Sequence, residues 1–177
     1  IKLDTGMGRI GFLPENNSLD LLQEIAALPG VKIEGIFTHL AEADLEDSSF
    51  SREQIKTFAG FINKLEERGV HIPLKHCSNS AALINFPEAH FDMVRAGILL
   101  YGLSPSPQTK LGKFDIIPAM TLKSRVTYVK TLLAGHSISY NRTYYCQRDT
   151  RVATVPIGYA DGYSRLLSNR VQALING

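Results

Sequence analysis

Residues 150–165 run from a β-type segment, Thr150 to Ile157, into Gly158-Tyr159-Ala160-Asp161-Gly162, so a tyrosine stands in a glycine-bracketed turn. A phenol presented in this way can exchange protons once positive charge or hydrogen bonding assists it, because a free phenol titrates at about 10. The two flanking glycines suggest backbone that a β-carbon would oppose. Taken alone, the segment also reads as a turn carrying an ordinary structural tyrosine. Near the other end, Asp4 to Gly11 form a glycine-rich loop carrying Arg9, whose guanidinium could approach an anion or a phenolate. Gly6, Gly8 and Gly11 formally match the dinucleotide pattern GxGxxG. Phe12-Leu13-Pro14 follows where that fingerprint requires a helix, so the match is read as accidental.

The elements that must position such groups follow from periodicity. Ile1 to Asp4, Val31 to Phe37, Leu74 to Cys77 and Phe91 to Val94 read as short strands. Ser18 is a candidate N-cap for a helix with Leu19, Leu22, Ile25 and Ala26 on one face, stopped by Pro29-Gly30. Ile55, Phe58, Ile62 and Leu65 mark a second helix ending near Gly69, and a short third helix starts around Asn79 with Ala81, Ala82 and Leu83. The alternation predicts parallel strands with helices outside, as in a barrel or a doubly wound sheet. After Pro105 the period changes to a β-type pattern, with no comparable helix beyond about residue 110. Met120 to Leu133 and Thr150 to Ile157 are the main segments, with turns at Gly135-His136 and Tyr140-Asn141 and a further strand at Val171 to Ile175. The Pro/Ser-rich stretch 104–117 is the expected boundary, giving units 1–114 and 115–177.

Parallel strands place functional loops at their carboxyl ends. Those ends carry Asp4 to Arg9, Thr38-His39, Cys77 to Ser80 and Arg95 to Ile98. Ser80 at a helix start, with the backbone amides of Gly97 and Ile98, would make a phosphate cradle. Each residue also has a plainer role: His39 as a hydrogen-bonded histidine at the core edge, Asn79-Ser80 as a helix cap, Arg95 as an ion-pair partner. No spacing of His, Cys, Asp and Glu suggests a zinc site, and His76-Cys77 is weak by itself.

The 177 residues, 44% hydrophobic and 20% charged, are those of a globular protein with a sizeable core. A net charge of +2 with short basic runs such as Lys110 to Lys113 gives no nucleic-acid footprint. The apolar runs are too short to span a membrane. Cys77 and Cys146 form no CxxC pair, and no signal-like segment is present, so a reducing cytoplasm is the expected setting. The chain opens inside a strand without methionine and closes just after another, which reads as a piece of a longer polypeptide.

Six ordered segments, KLDTGMGRIGF, FTHLAEAD, HCSNSAAL, DMVRAGILLYG, SISYNRTY and VPIGYADGYSRLLSN, together resemble the alanine racemase family. That resemblance implies part of a (β/α)8 TIM-type barrel that binds pyridoxal 5'-phosphate, followed by part of a β-rich C-terminal domain. It implies that Arg95 meets the pyridine nitrogen, that His39 links Arg95 to the catalytic tyrosine, and that Asn79, Ser80, Gly97 and Ile98 surround the phosphate. Tyr159 is then the base for L-alanine, reaching the active site of the other subunit of a homodimer. Arg9 contacts the cofactor phenolate and the substrate carboxylate, and Lys2 matches a lysine often carbamylated to orient that arginine. The implied activity is two-base racemisation of alanine, supplying D-alanine for bacterial peptidoglycan. The family's Schiff-base lysine and a phosphate-binding tyrosine fall upstream of Ile1, so these residues alone are expected to be inactive.

Racemisation removes a proton on one face and returns it on the other, which needs two bases. An arginine at the pyridine nitrogen keeps its proton, weakens the electron sink and suppresses side reactions. Arg95 therefore disfavours the related ornithine or diaminopimelate decarboxylases, which would carry a carboxylate there. The β segments disfavour a single-domain non-catalytic carrier of the cofactor. A racemase for another amino acid, such as serine, and a fragment without its own site stay open.

Overall fold

A computed structural model describes residues 1–112 and 114–175; Lys113, in the basic run and the expected boundary stretch, and Asn176 and Gly177 lie outside the described residues. The chain divides into two compact units, Ile1–Met120 and Thr121–Gly177.

The first unit is built of successive parallel β/α steps. Lys2 bridges in parallel to Phe37, with Leu3 N–H bonded to Phe37 O at 2.8 Å and Phe37 N–H to Ile1 O at 3.0 Å. Strand β1 (Gly35–Phe37) pairs in parallel with β2 (Leu74–His76), Phe37 opposite His76. Helix α1 (Asn16–Ala27) precedes β1, α2 (Ser49–Glu67) joins β1 to β2, and α3 (Ser80–Asn85) follows β2. The predicted stripe of α2 is its buried face: Ile55, Phe58, Ile62 and Leu65, joined by Phe61 and by two polar residues, Ser51 and Gln54. These pack with Leu3, Leu19, Leu22, Ile36, Ile72 and Phe86 in one core. Gly69, at φ +78, ends α2 as expected, its N–H bonded to Glu66 O at 2.9 Å and that of Val70 to Leu65 O at 2.9 Å.

Several expectations change, and three expected strands are shorter than read: Gly35–Phe37 within 31–37, Tyr128–Leu132 within 120–133 and Thr150–Thr154 within 150–157. Ser18 is not the N-cap of α1; Glu15 is, and Ser18 lies buried in the first turn, its N–H taken by Asn17 Oδ1 at 2.7 Å. A side chain packed inward there cannot turn back to cap. Phe91 to Val94 form no strand, although this segment runs beside β2 with Asp92 N–H bonded to Lys75 O and Arg95 N–H to Ser78 O, both at 3.0 Å. The Asp92 carboxylate accepts the Lys75 N–H at 2.8 Å, taking the place of the backbone carbonyl that would continue a ladder. Residues 171–175 are likewise not a strand, with Leu174 and Ile175 largely exposed and no ladder partner among the described residues.

The second unit is antiparallel. Strand β3 (Tyr128–Leu132) pairs with β6 (Thr150–Thr154), Tyr128 opposite Thr154 and Leu132 opposite Thr150. Strand β4 (Ser137–Ile138) pairs with β5 (Tyr144–Tyr145), connected through a tight turn at Tyr140–Arg142. Gly135 turns at φ +84, as its predicted position requires. Among the described residues, no helix is long and apolar enough to cross a membrane.

Candidate active site

The carboxyl ends of the parallel strands, with the segment that runs beside β2, bring together Lys2, Asp4, Arg9, His39, His76 and Arg95. Arg95 is the centre of this group. Its Nη1 lies 2.6 Å from His76 Nδ1. Its Nη2 donates to Thr38 O at 2.9 Å and Cys77 O at 3.2 Å and lies 3.2 Å from His39 Nδ1. The guanidinium also lies over the Phe37 ring, 5.4 Å from its centroid, while His76 stacks on the same ring at 5.1 Å with an interplanar angle of 2°.

Guanidinium has only donors. Both histidines must therefore accept through Nδ1, which makes them neutral and places their protons on Nε2. Burial, then the Arg95 charge, holds both rings below the ordinary histidine range; Arg9 and Lys2 add to the effect at His39. With Nη1 and Nη2 engaged, the Nε–H of Arg95 is left without a protein partner among the described residues. It can meet an acceptor such as a ring nitrogen.

The Arg9 loop is shaped by a residue that the sequence placed only in the loop. The Asp4 carboxylate accepts the N–H groups of Gly6 and Gly8 at Oδ1 and of Arg9 at Oδ2, each at 3.0 Å. Burial alone would raise this carboxyl; the three N–H bonds and Lys2 more than offset it and hold the group below the usual carboxylate range. The loop leads back through Phe12 to Lys2 and opens no helix, so the dinucleotide reading stays excluded. Lys2 Nζ donates to Leu3 O at 3.0 Å, and burial lowers its ammonium, which favours the neutral amine that carbamylation consumes.

Asn79 caps α3, accepting the Ala82 N–H at 3.0 Å, and its Nδ2 donates to Leu40 O at 3.3 Å. Ser80 turns its hydroxyl to Ala96 O and accepts the Leu99 N–H at 3.4 Å. Gly97 and Ile98 open the short 3-10 turn Gly97–Tyr101, where first-turn N–H groups have no intrahelical acceptor. Gly97 sits at φ +51, and a β-carbon there would come 2.9 Å from Ser80 Oγ. This cradle, closed to any side chain at Gly97, fits a phosphate once the Ser80 hydroxyl rotates from Ala96. The Arg95 Nε–H and the turn opened by Gly97 thus offer donors of the kind that a ring nitrogen and a phosphate accept.

Tyr159 belongs to the second unit and is 67% exposed, in a turn whose Asp161 carboxylate accepts the Gly158 N–H at 2.9 Å. The Arg165 guanidinium lies 5.9 Å from the centre of its ring. Gly162 has the left-handed backbone expected of it, at φ +84. Gly158 does not: at φ −164 it is extended, with open space where a β-carbon would stand. His76 and Asp4 also shape the site, and Arg165 lies over Tyr159; of these, His76 alone carries a signal in the sequence, as a histidine at the end of β2. No group of three or more His, Cys, Asp and Glu suited to a metal ion occurs among the described residues.

Comparison with known proteins supplies the frame for this geometry. Residues 1–105 match the family model "Alanine racemase, N-terminal domain" and residues 119–177 "Alanine racemase, C-terminal domain". An alanine racemase of Desulforamulus reducens is 50% identical over all 177 residues, which cover 48% of its length. Among solved structures, an alanine racemase of Clostridium difficile 630 superposes with a TM-score of 0.84 at 42% identity, over 93% of this chain and 43% of that one. A complex of that racemase with cycloserine gives a TM-score of 0.82 at 38% identity, over 93% and 43%. The chain spans about half the length of these relatives. With parallel β/α steps in one unit, antiparallel β-strands in the other and both domain models matched in order, the chain belongs to the alanine racemase family, as part of its barrel and part of its β-rich C-terminal domain.

Proposed function

We propose that the protein interconverts L- and D-alanine with pyridoxal 5'-phosphate, by a two-base mechanism. The observation that carries this reading is the Arg95 cage, which offers an arginine Nε–H where a carboxylate would stand in a decarboxylase. When bound, the cofactor supplies an electron sink for the pair left at the substrate α-carbon. Arg95 keeps its own proton, so that sink stays weak and proton return is favoured over decarboxylation and transamination. Ser80, Gly97 and Ile98 bind the phosphate, with Asn79 fixing the start of α3. Arg9, on the loop tied by Asp4, orients the substrate carboxylate, and a carbamylated Lys2 would hold that arginine.

Tyr159 is the proposed base for the α-proton of L-alanine, taking it on the phenol oxygen, in an active site formed with a second copy of the chain. His39 has its Nε2–H free to stabilise the deprotonated phenol because Arg95 occupies its Nδ1. The opposite face requires a second base. In this reading residues 1–114 are barrel and residues 115–177 belong to the β-rich domain. The two cysteines are unpaired, in keeping with a cytoplasmic setting, and the product D-alanine suits peptidoglycan synthesis.

The test is Tyr159→Phe in the full-length holoenzyme. L-to-D turnover should fall by at least about a hundredfold, since a positioned base is worth roughly 10²–10⁴, while cofactor absorbance persists. Undiminished racemisation sinks the assignment.

A further inference from the structure

Gln54 is the one fully buried amide side chain of α2, set near Ser51 at the N-terminal end of a mostly apolar face. Its Nε2 donates to His39 O at 3.2 Å and to Thr5 Oγ1 at 3.3 Å, and its Oε1 accepts the Ala41 N–H at 2.9 Å. The orientation of the amide is unambiguous, because a backbone carbonyl can only accept and a backbone N–H can only donate. One side chain therefore grips the loop on both sides of Leu40 and also reaches the loop that carries Arg9. Thr5 is in turn bonded to Thr38 at 2.7 Å.

We propose that Gln54 is a positioning residue: its amide fixes the backbone of His39 so that the imidazole Nδ1 stays on Arg95 and the Nε2–H stays aimed outward. This rests on the role given to His39 above. Arg95 holds the carbonyl of Thr38 and Asn79 that of Leu40, so the His39 carbonyl between them has Gln54 as its anchor. An apolar side chain of equal size would fill the same space and leave the His39 carbonyl and the Ala41 N–H without their side-chain partner. The loop would then relax, and the ring would leave Arg95. The charged groups that act on His39 are Arg95 from the segment after β2, Arg9 from the Asp4 loop and Lys2 from the bridge beside β1; α2 contributes the neutral Gln54.

The experiment compares Gln54→Met with Ser51→Ala, a substitution one helical turn away on the same buried face, where the hydroxyl has no partner. Imidazole ¹⁵N shifts of His39 are followed across pH in full-length protein before cofactor is added, and turnover is measured after reconstitution. In Gln54→Met the His39 titration should move up toward the ordinary histidine value, and kcat should fall by about tenfold or more, as small misplacements of catalytic groups do, with KM little changed. Ser51→Ala should leave both unchanged. Should Gln54→Met not fold, Gln54→Asn carries the same measurement: it stays neutral, so no new charge acts on His39, and its amide, one methylene shorter, cannot span the His39 carbonyl and the Ala41 N–H together, so the His39 shift should appear. An unmoved His39 titration, or equal shifts in the Ser51 and Gln54 variants, overturns the proposal, as does failure of both Gln54 variants to fold. The titration needs no turnover, so a protein that does not racemise alanine can still pass this test.

Discussion

At the scale of single residues, the site is a set of charges and neutral rings held by groups that cannot exchange roles. Arg95 can only donate, so His39 and His76 are neutral in the folded protein, and burial, with Arg95 next, holds both below the ordinary histidine value. The unfolded chain binds more protons at these rings than the folded one does. Their contribution to stability is therefore complete above about pH 6.5 and is lost as pH falls toward the lowered folded values. Asp4 has the same sign in a more acidic window, through its three N–H bonds. A melting temperature that declines from pH 7 to pH 5, then more steeply below pH 4, is the expected profile; a flat profile between 7 and 5 would contradict the neutral-ring assignment. His39 was legible in the sequence because it follows β1, and Arg95 because it ends an extended segment beside β2, the places where parallel β/α folds keep their chemistry. Gln54 was not, since a polar residue on a mostly apolar helical face has no distinguishing period. Asp4 escaped as a ligand of its own loop because three backbone N–H groups leave no mark in side-chain types.

At the scale of elements, helices were read more faithfully than strands. The stripe of α2 and its Gly69 stop survive intact because 3.6-residue periodicity and a left-handed glycine are local properties. Residues 91–94 depended on a neighbour: the Asp92 carboxylate intercepts the Lys75 N–H, which no propensity in the segment itself predicts. The same dependence on a neighbour makes Gly97 testable. Its φ of +51 and the 2.9 Å approach of a β-carbon to Ser80 Oγ act together against any side chain. Gly97→Ala should destabilise the protein by about 1–3 kcal/mol, the usual range for a non-glycine residue in left-handed backbone. It should also weaken cofactor binding, because the added methyl pushes Ser80 and the first amides of the turn apart. Thermal melts and cofactor titration of the full-length protein measure the two effects. Unchanged cofactor affinity would remove this turn from the phosphate cradle.

At the scale of the molecule, apolar burial is distributed very unevenly between the two units. Every buried hydrophobic side chain among the described residues lies between Leu3 and Ala89, except Cys146. Residues of the second unit that a β-domain would ordinarily bury, among them Tyr128, Val129, Leu133, Leu166 and Leu174, are exposed. Its β3–β6 ladder is backbone-bonded but has little apolar surface removed from water to stabilise it. A two-stranded ribbon of that kind is marginal by itself in water. The 177-residue polypeptide, prepared alone, should therefore show segment-resolved hydrogen exchange that is slow across α2, β1 and β2 and fast through residues 121–175, with at most partial protection in β3 and β6. In the full-length protein the same segment should become protected if its exposed apolar side chains are covered there. Equal protection of both units in the 177-residue chain would mean that the second unit is stabilised by something other than apolar burial. Fast exchange that persists in the full-length protein would leave Tyr159 on a turn too mobile to serve as a positioned base.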